Sequence, residues 1–324
     1  MAWIREGNTA GPTRVFRAEL DAVPPVDDSD DGARSVHRCG HDGHMAILAG
    51  LALLMEKDRE FCGRIVLLFQ SAEEDGTGAL AVCTDPRFHA LHPAYIFALH
   101  NLPGWPAGKV VLRNGGMCCA SRGVEIRLRG KPAHAAQPED GRSPAKPLAR
   151  MIEGLEQVCT AEPALTGIRM ATVIGARLGE KHFGSTPKKA VLWATLRAET
   201  DRDMDILAAG VEDMIMTLAA EHGMLATHRW SDVFPAVFND PKACALVETA
   251  AERAGVAVVR PETPFRWSED FAHYGNCGHA VLIGLGSGEG CPPLHTGDYA
   301  FPDEIIPTGV KLLYRIACSF HSKT

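Results

Sequence analysis

Continuous apolar runs and amphipathic stretches alternate along this chain. Arg64–Gln70 (R-I-V-L-L-F-Q), Tyr95–Leu99 and Ala280–Leu285 have the unbroken hydrophobicity of strands covered on both faces. His44–Lys57 is apolar nearly all round, with Gly50 as a close-packing point, and predicts a buried helix; Glu304–Ser319 predicts a closing one. This pattern implies α/β layers with helices on both faces of a sheet. The middle of the chain differs. In Arg122–Arg129, Val124, Ile126 and Leu128 alternate with Glu125, Arg127 and Arg129, the signature of a strand with one wet face. A helix over Ser143–Val158, strands over Met170–Ala176 and Ala190–Ala198, and a helix over Met204–Glu221 complete an α+β unit of its own. The predicted organisation is therefore an α/β domain made of residues 1–117 and 230–324, interrupted by an inserted α+β domain at 118–229.

Composition narrows the class. Of 324 residues, 46% are hydrophobic and 23% charged, a globular balance rather than a disordered or fibrous one. Thirty-three basic against 40 acidic residues leave a net charge of −7, which argues against a nucleic-acid or anionic-membrane partner. The longest uncharged apolar run, Met45–Met55, is shorter than the ~18 residues a membrane span needs. The first residues carry no apolar signal core, and ten scattered cysteines without a Cys-x-x-Cys pair fit a reducing compartment, so the expected location is the cytoplasm.

Chemistry concentrates in four places. H-R-C-G-H-D-G-H (37–44) puts three His, one Cys and one Asp between a polar loop and a helix, and these are ligand types for zinc or a similar divalent ion. F-Q-S-A-E-E-D-G (69–76) sets Glu73 and Glu74 directly after a buried strand, where sites of α/β proteins lie. Adjacent side chains diverge, so one carboxylate can bind metal while the other faces a water as general base. His100 ends another buried strand, and His295 follows the strand Ala280–Leu285. Any one of these could be a polar turn; four such turns after buried strands point to a metal centre.

These stretches resemble the metal-dependent amidohydrolases that include aminoacylases, hippurate hydrolases and auxin–amino acid conjugate hydrolases. The match runs through R-A-E-L-D-A-V-P (17–24), H-R-C-G-H-D-G-H, L-L-F-Q-S-A-E-E (67–74), A-L-H-N-L-P-G (98–104), G-K-P-A-H-A-A-Q-P (130–138), S-E-D-F (268–271) and P-L-H-T (293–296), in family order. The resemblance implies that Cys39, His41, Glu74, His100 and His295 hold two divalent ions, zinc or manganese, with nickel and cobalt also compatible. It implies Glu73 as general base, His134 as an active-site histidine supplied in dimeric relatives by the partner subunit, and Asp21 and Glu269 as residues behind the ligands. The implied fold is an α/β metal-binding domain interrupted by an α+β lid and dimerisation domain, and the implied activity is attack of a metal-bound water on the amide of an N-acyl amino acid. A homodimer is expected through the inserted domain, with Arg122–Arg129 as a candidate pairing edge.

Three departures accompany the resemblance. Relatives start several tens of residues earlier; Glu19 and Ser71 stand where they have Asp and Pro; and H-F-G-S-T-P (182–187) replaces a turn near their substrate, which leaves the substrate open. Two other classes compete: a metal-binding but inactive interaction protein, and a cysteine hydrolase using Cys39 with His41. An intact Glu73 argues against the first, and the lack of an oxyanion turn against the second. His44 is expected to pack or cap rather than ligate. Asp27–Asp31 reads as a solvated acidic loop without the spacing of a calcium site.

Overall fold

The computed structural model describes residues 2–25, 35–58, 60–161 and 167–320, so the acidic loop Asp27–Asp31 lies outside the described residues. Two compact units emerge: residues 1–117, 237–264 and 269–324 form the first, and residues 118–236 with 265–268 the second.

The first unit is built on a seven-stranded sheet of β1 (Ala2–Glu6), β2 (Thr9–Glu19), β3 (Cys62–Gln70), β4 (Pro93–Pro103), β5 (Val110–Val111), β12 (Val258–Val259) and β13 (His279–Gly288), ordered β1-β3-β2-β4-β13-β5-β12. Its centre, β3-β2-β4-β13, is parallel, and β1 joins antiparallel at the edge. The alternation of β2 shows how the sheet works. Phe16 and Ala18 enter the apolar cluster formed with α1 (His41–Lys57), α6 (Pro241–Ala254) and α7 (Ile306–Ala317). Arg17 and Glu19 turn to the opposite face, yet are fully buried. Helices α2 (Gly78–Thr84) and α3 (Pro86–His89) follow β3, and α2 packs on the 3₁₀ segment Asp270–Asn276. A short pair, β6 (Gly115–Cys118) with β11 (Val237–Asn239), completes the strands of this part of the chain.

The second unit is a four-stranded antiparallel sheet of β7 (Ala120–Arg129), β8 (Arg169–Leu178), β9 (Lys189–Ala198) and β10 (Leu225–Phe234), ordered β10-β7-β9-β8. Val124, Ile126 and Leu128 bury against α4 (Ala145–Ala161) and α5 (Asp201–Glu221), as the alternation requires. One expectation is corrected here. Because β7 pairs with β10 on one side and β9 on the other, Arg122–Arg129 is an interior strand with its backbone bonds satisfied, and β8 and β10 are the edges. The pattern of a wet face is the same for an edge and a central strand, so sequence periodicity could not separate them. Among the described residues no helix is long and apolar enough to cross a membrane.

Candidate metal centre

The carboxyl ends of β2, β3, β4 and β13 and the turn into α1 deliver one cluster of side chains in the first unit. The turn is set by Gly40, whose φ of 89° is left-handed, and a Cβ there would meet the Tyr299 hydroxyl at 2.6 Å and Asn101 Oδ1 at 2.7 Å. It leaves Cys39 buried and makes His41 the first residue of α1.

Hydrogen bonds fix the imidazoles. His41 Nδ1 donates to the Asp21 carbonyl at 3.1 Å, which leaves Nε2 as the lone-pair nitrogen; that atom is buried without a hydrogen-bond partner. His100 Nδ1 donates to the Asn101 carbonyl at 2.8 Å, and its Nε2 lies 3.7 Å from Cys39 Sγ. Burial lowers His41 to a pKa of about 4 and His100 to about 3, so both rings are neutral at pH 7.

The two glutamates diverge as adjacent residues must. Both oxygens of Asp21 accept backbone N–H bonds, from Ala72 and Glu73, at 2.7 Å each, and so pin the turn that carries them. Glu74 Oε1 lies 4.0 Å from His41 Nε2 and 3.7 Å from His295 Nε2, and is buried without a hydrogen-bond partner. Glu73 Oε2 lies 3.9 Å from His41 Nε2. Burial first, and then the negative charge of Glu269, push the Glu73 carboxyl well above the usual range. His295, half-exposed, sits at a φ of 61°, an uncommon backbone for a residue with a side chain, and its N–H donates to the Arg38 carbonyl at 2.8 Å.

Two donor sets meet at Cys39, one with His41 and His100 and one with Glu74 and His295, the atoms within each set lying within 4.8 Å of one another. His41 with Glu73 and Glu74 forms a further set, sharing His41 with the first and Glu74 with the second. Donors around one tetrahedral zinc stand about 3.4 Å apart, given bonds of about 2.0–2.3 Å. The spacings of 3.7–4.0 Å are thus slightly open for an ion, and the orphaned His41 Nε2 and Glu74 Oε1 are groups that a cation would satisfy. One thiol, three imidazoles and a carboxylate suit a borderline divalent ion, so these residues fit the implied metals.

A family model described as peptidase family M20/M25/M40 matches residues 15–319. The chain belongs to that family. It is 30% identical over 278 residues to the N-acetyl-L-cysteine deacetylase of Bacillus subtilis, covering 83% of this chain and 65% of that protein. A second relative from the same organism, an N-acetylcysteine deacetylase, is 28% identical over 277 residues, 83% of this chain and 71% of its own. The chain thus spans about two thirds of the length of these relatives. Among solved structures, a dinuclear metal-binding peptidase of the M20 family from Bacillus subtilis superposes with a TM-score of 0.80 at 23% identity, over 98% of this chain and 84% of that one. This M20 member is a hydrolase whose α/β fold matches that peptidase.

The structure also reveals residues that motif reading passed over. Arg17, fully buried, pairs with Glu19, with Glu269 at 3.0 Å and with Asp270 at 2.6 Å, and donates to Gln70 Oε1 at 2.9 Å. Burial opposes its charge, but the three carboxylates overturn that and raise its pKa well above the usual value. Glu269 therefore serves Arg17 and caps the Phe271 N–H at 3.2 Å, while burial lifts its own pKa to about 8. His134 lies in the second unit, where its backbone bridges Ser185 and its Nδ1 accepts the Ala136 N–H at 3.1 Å. Nothing local marks Arg17: Arg14 and Glu19 are charged positions of the same strand, and the partners Glu269 and Asp270 are distant in sequence.

Proposed function

We propose that this M20 hydrolase binds two divalent ions through Cys39, His41, Glu74, His100 and His295 and cleaves the amide of an N-acyl amino acid. The observation that carries the reading is the pair of donor sets meeting at Cys39 with a buried carboxylate, Glu73, beside them. The deacetylase relatives support the substrate class.

When bound, the ions would supply Lewis acidity, polarising the amide carbonyl and easing ionisation of a water. The chain's own residues do the rest. Glu73, held by the Asp21-pinned turn, takes the proton of the attacking water as general base. The tetrahedral carbon then collapses, the C–N bond breaks, and Glu73 returns the proton to the leaving amine. His134 accepts at Nδ1, so its Nε2 carries the proton and is a donor suited to the developing oxyanion of a partner subunit. The dimer we propose pairs the β8 edge with that of a second copy: Met170–Ala176 has no charged residue, and Ile174 is 65% exposed on it.

The test is metal analysis with a hydrolysis panel of N-acetyl, N-benzoyl and N-indolylacyl amino acids. Chelation should abolish activity, metal should restore it, and Cys39→Ser should lose most of its bound ion. Full occupancy of two ions in Cys39→Ser would sink the ligand assignment, and a metallated chain inert on every substrate would favour the interaction-protein reading.

A further inference from the structure

Behind the candidate ligands stands a fourth imidazole that does not join them. His44 is 2% exposed, one turn along α1 from His41. Its Nδ1 lies 2.8 Å from Glu19 Oε2, and its Nε2 lies 2.7 Å from Asn101 Oδ1 and 3.1 Å from the Asn101 backbone N. In the neutral ring Nδ1–H donates to Glu19 and Nε2 accepts the Asn101 N–H. In the protonated ring both nitrogens donate, to Glu19 and to Asn101 Oδ1. Either way no lone pair points at an ion, although Glu19, His41 and His44 place three donor atoms within 4.8 Å of one another.

The ring faces carry the consequence. The His44 ring stands edge-on to His100, with centroids 4.8 Å apart, and tilted against His41 at 5.6 Å, while His41 and His100 themselves are 6.0 Å apart. His44 thus packs against both imidazoles of the Cys39–His41–His100 set, the three rings forming a triangle. Its own orientation is fixed from β2 by Glu19 and from β4 by Asn101. Glu19 is anchored in turn by Arg17, and Asn101 Nδ2 by the Tyr299 hydroxyl. A ring held at both nitrogens cannot rotate, so it sets where its neighbours rest.

We propose that His44 is a positioning residue: a strut, hydrogen-bonded to Glu19 and Asn101, that sets the placement of His41 and His100 and so the affinity of the Cys39 donor set for its ion. The inference rests on the metal reading above. Outer hydrogen-bonding partners of metal ligands typically influence affinity by about 10–100-fold, and His44 acts through such a partner, because it holds Asn101, whose carbonyl accepts from His100 Nδ1.

The experiment loads full-length, metal-free protein with cobalt(II). It measures affinity by chelator competition and follows the absorption band of thiolate bound to cobalt. His44→Phe keeps a flat ring but neither hydrogen bond; it should weaken cobalt binding about 10–100-fold and shift the thiolate band. His44→Gln, whose amide reaches toward the Nε2 position and Asn101, should fall between it and wild type. Glu19→Gln, which leaves the imidazole in place, should weaken binding in the same direction and serves if His44→Phe does not fold. A role confined to packing would lower Tm while leaving the affinity and the band of the folded variants unchanged, and that result overturns the proposal. Equal impairment of His44→Phe and His44→Gln overturns the hydrogen-bonded strut as well. A wild-type chain that takes up no cobalt overturns the metal reading itself, whereas wild-type uptake with unchanged uptake in His44→Phe overturns only the strut.

Discussion

The two units bury different chemistry. Among the described residues, every buried polar or charged side chain except Ser121 belongs to the first unit: Arg14, Arg17, Glu19, His41, His44, Glu73, His100, Glu269 and Asp270 are the ionisable ones. The second unit closes on aliphatic residues and methionine, such as Val124, Ile126, Leu155, Leu192, Met151 and Ile215. Burying a charge costs several kcal/mol unless it is paired, whereas burying a leucine stabilises by about 1.5–3 kcal/mol. The first unit therefore carries groups that stability alone would exclude, and all but Arg14, which donates to the Cys62 and Ala317 carbonyls at the other end of the sheet, gather toward the carboxyl ends of its parallel strands. The proposed metal site accounts for that placement; the second unit's core needs no such account, and its proposed contribution lies on its surface and its β8 edge.

The sharpest way to break this contrast is at Glu73. Glu73→Gln preserves size and hydrogen bonding and leaves all five proposed ligands in place, so it should retain both ions. Its kcat should fall about 10²–10⁴-fold, the range for a lost general base. A fully metallated Glu73→Gln enzyme with near-normal kcat would move the base elsewhere and leave the burial of Glu73 without a functional reason.

Arg17 comes next, because it decides whether the first unit's buried charges act as a network. Arg17→Leu strands Glu19, Glu269 and Asp270 without their cation, and breaking a buried pair of this kind costs about 3–5 kcal/mol. The midpoint of urea unfolding should drop accordingly, and metal affinity should drop with it, since Glu19 also holds His44. An unchanged midpoint would mean that the carboxylates simply take up protons and need no cation. The counterpart in the second unit is Leu192→Ala, in the apolar cluster at 1% exposure. It should cost about 2–5 kcal/mol through lost burial and a residual cavity, with metal affinity unaltered because all five proposed donors lie in the other unit.

The contrast also governs how much could be read from sequence. Runs with a clear apolar pattern, continuous or periodic, emerged as elements at nearly their expected places: Arg64–Gln70 within β3, His44–Lys57 within α1, Met204–Glu221 within α5. Several elements escaped, β10 and α6 among them. β10 mixes Thr, His, Arg, Trp and Ser without a clean apolar face, and α6 buries mainly alanines and a cysteine, whose small side chains give a weak pattern. The proposed ligands were legible because their chemistry is local to short motifs. Arg17 was not, because its meaning depends on Glu269 and Asp270, some 252 and 253 positions further along the chain. An arginine in a strand looks like a surface residue until its partners are in place. His44 shows the intermediate case: its packing role was legible from its position in the helix, but only the structure supplies Glu19 and Asn101 as the groups that immobilise it.

The smallest effect on stability is expected at Ile174, and it tests what the second unit contributes in place of buried chemistry. An edge strand with exposed apolar residues and no charge over Met170–Ala176 leaves backbone N–H and C=O groups open to pairing, and natural edges that must stay alone carry lysine or proline instead. Ile174→Lys removes no core contact, since the side chain is already 65% exposed, so the change in folding stability of the chain itself should stay within about 0.5 kcal/mol. If two copies join along β8, a twofold interface places the same strand on both sides, and each dimer then holds two new lysines close to each other. Sedimentation should therefore shift from dimer to monomer while circular dichroism and metal content stay as in the parent. Turnover should fall with dimer content, because the proposed donor His134 comes from the partner copy. A monomeric Ile174→Lys enzyme with full kcat would detach His134 from catalysis in trans, and a dimer that persists unchanged would move the interface away from β8.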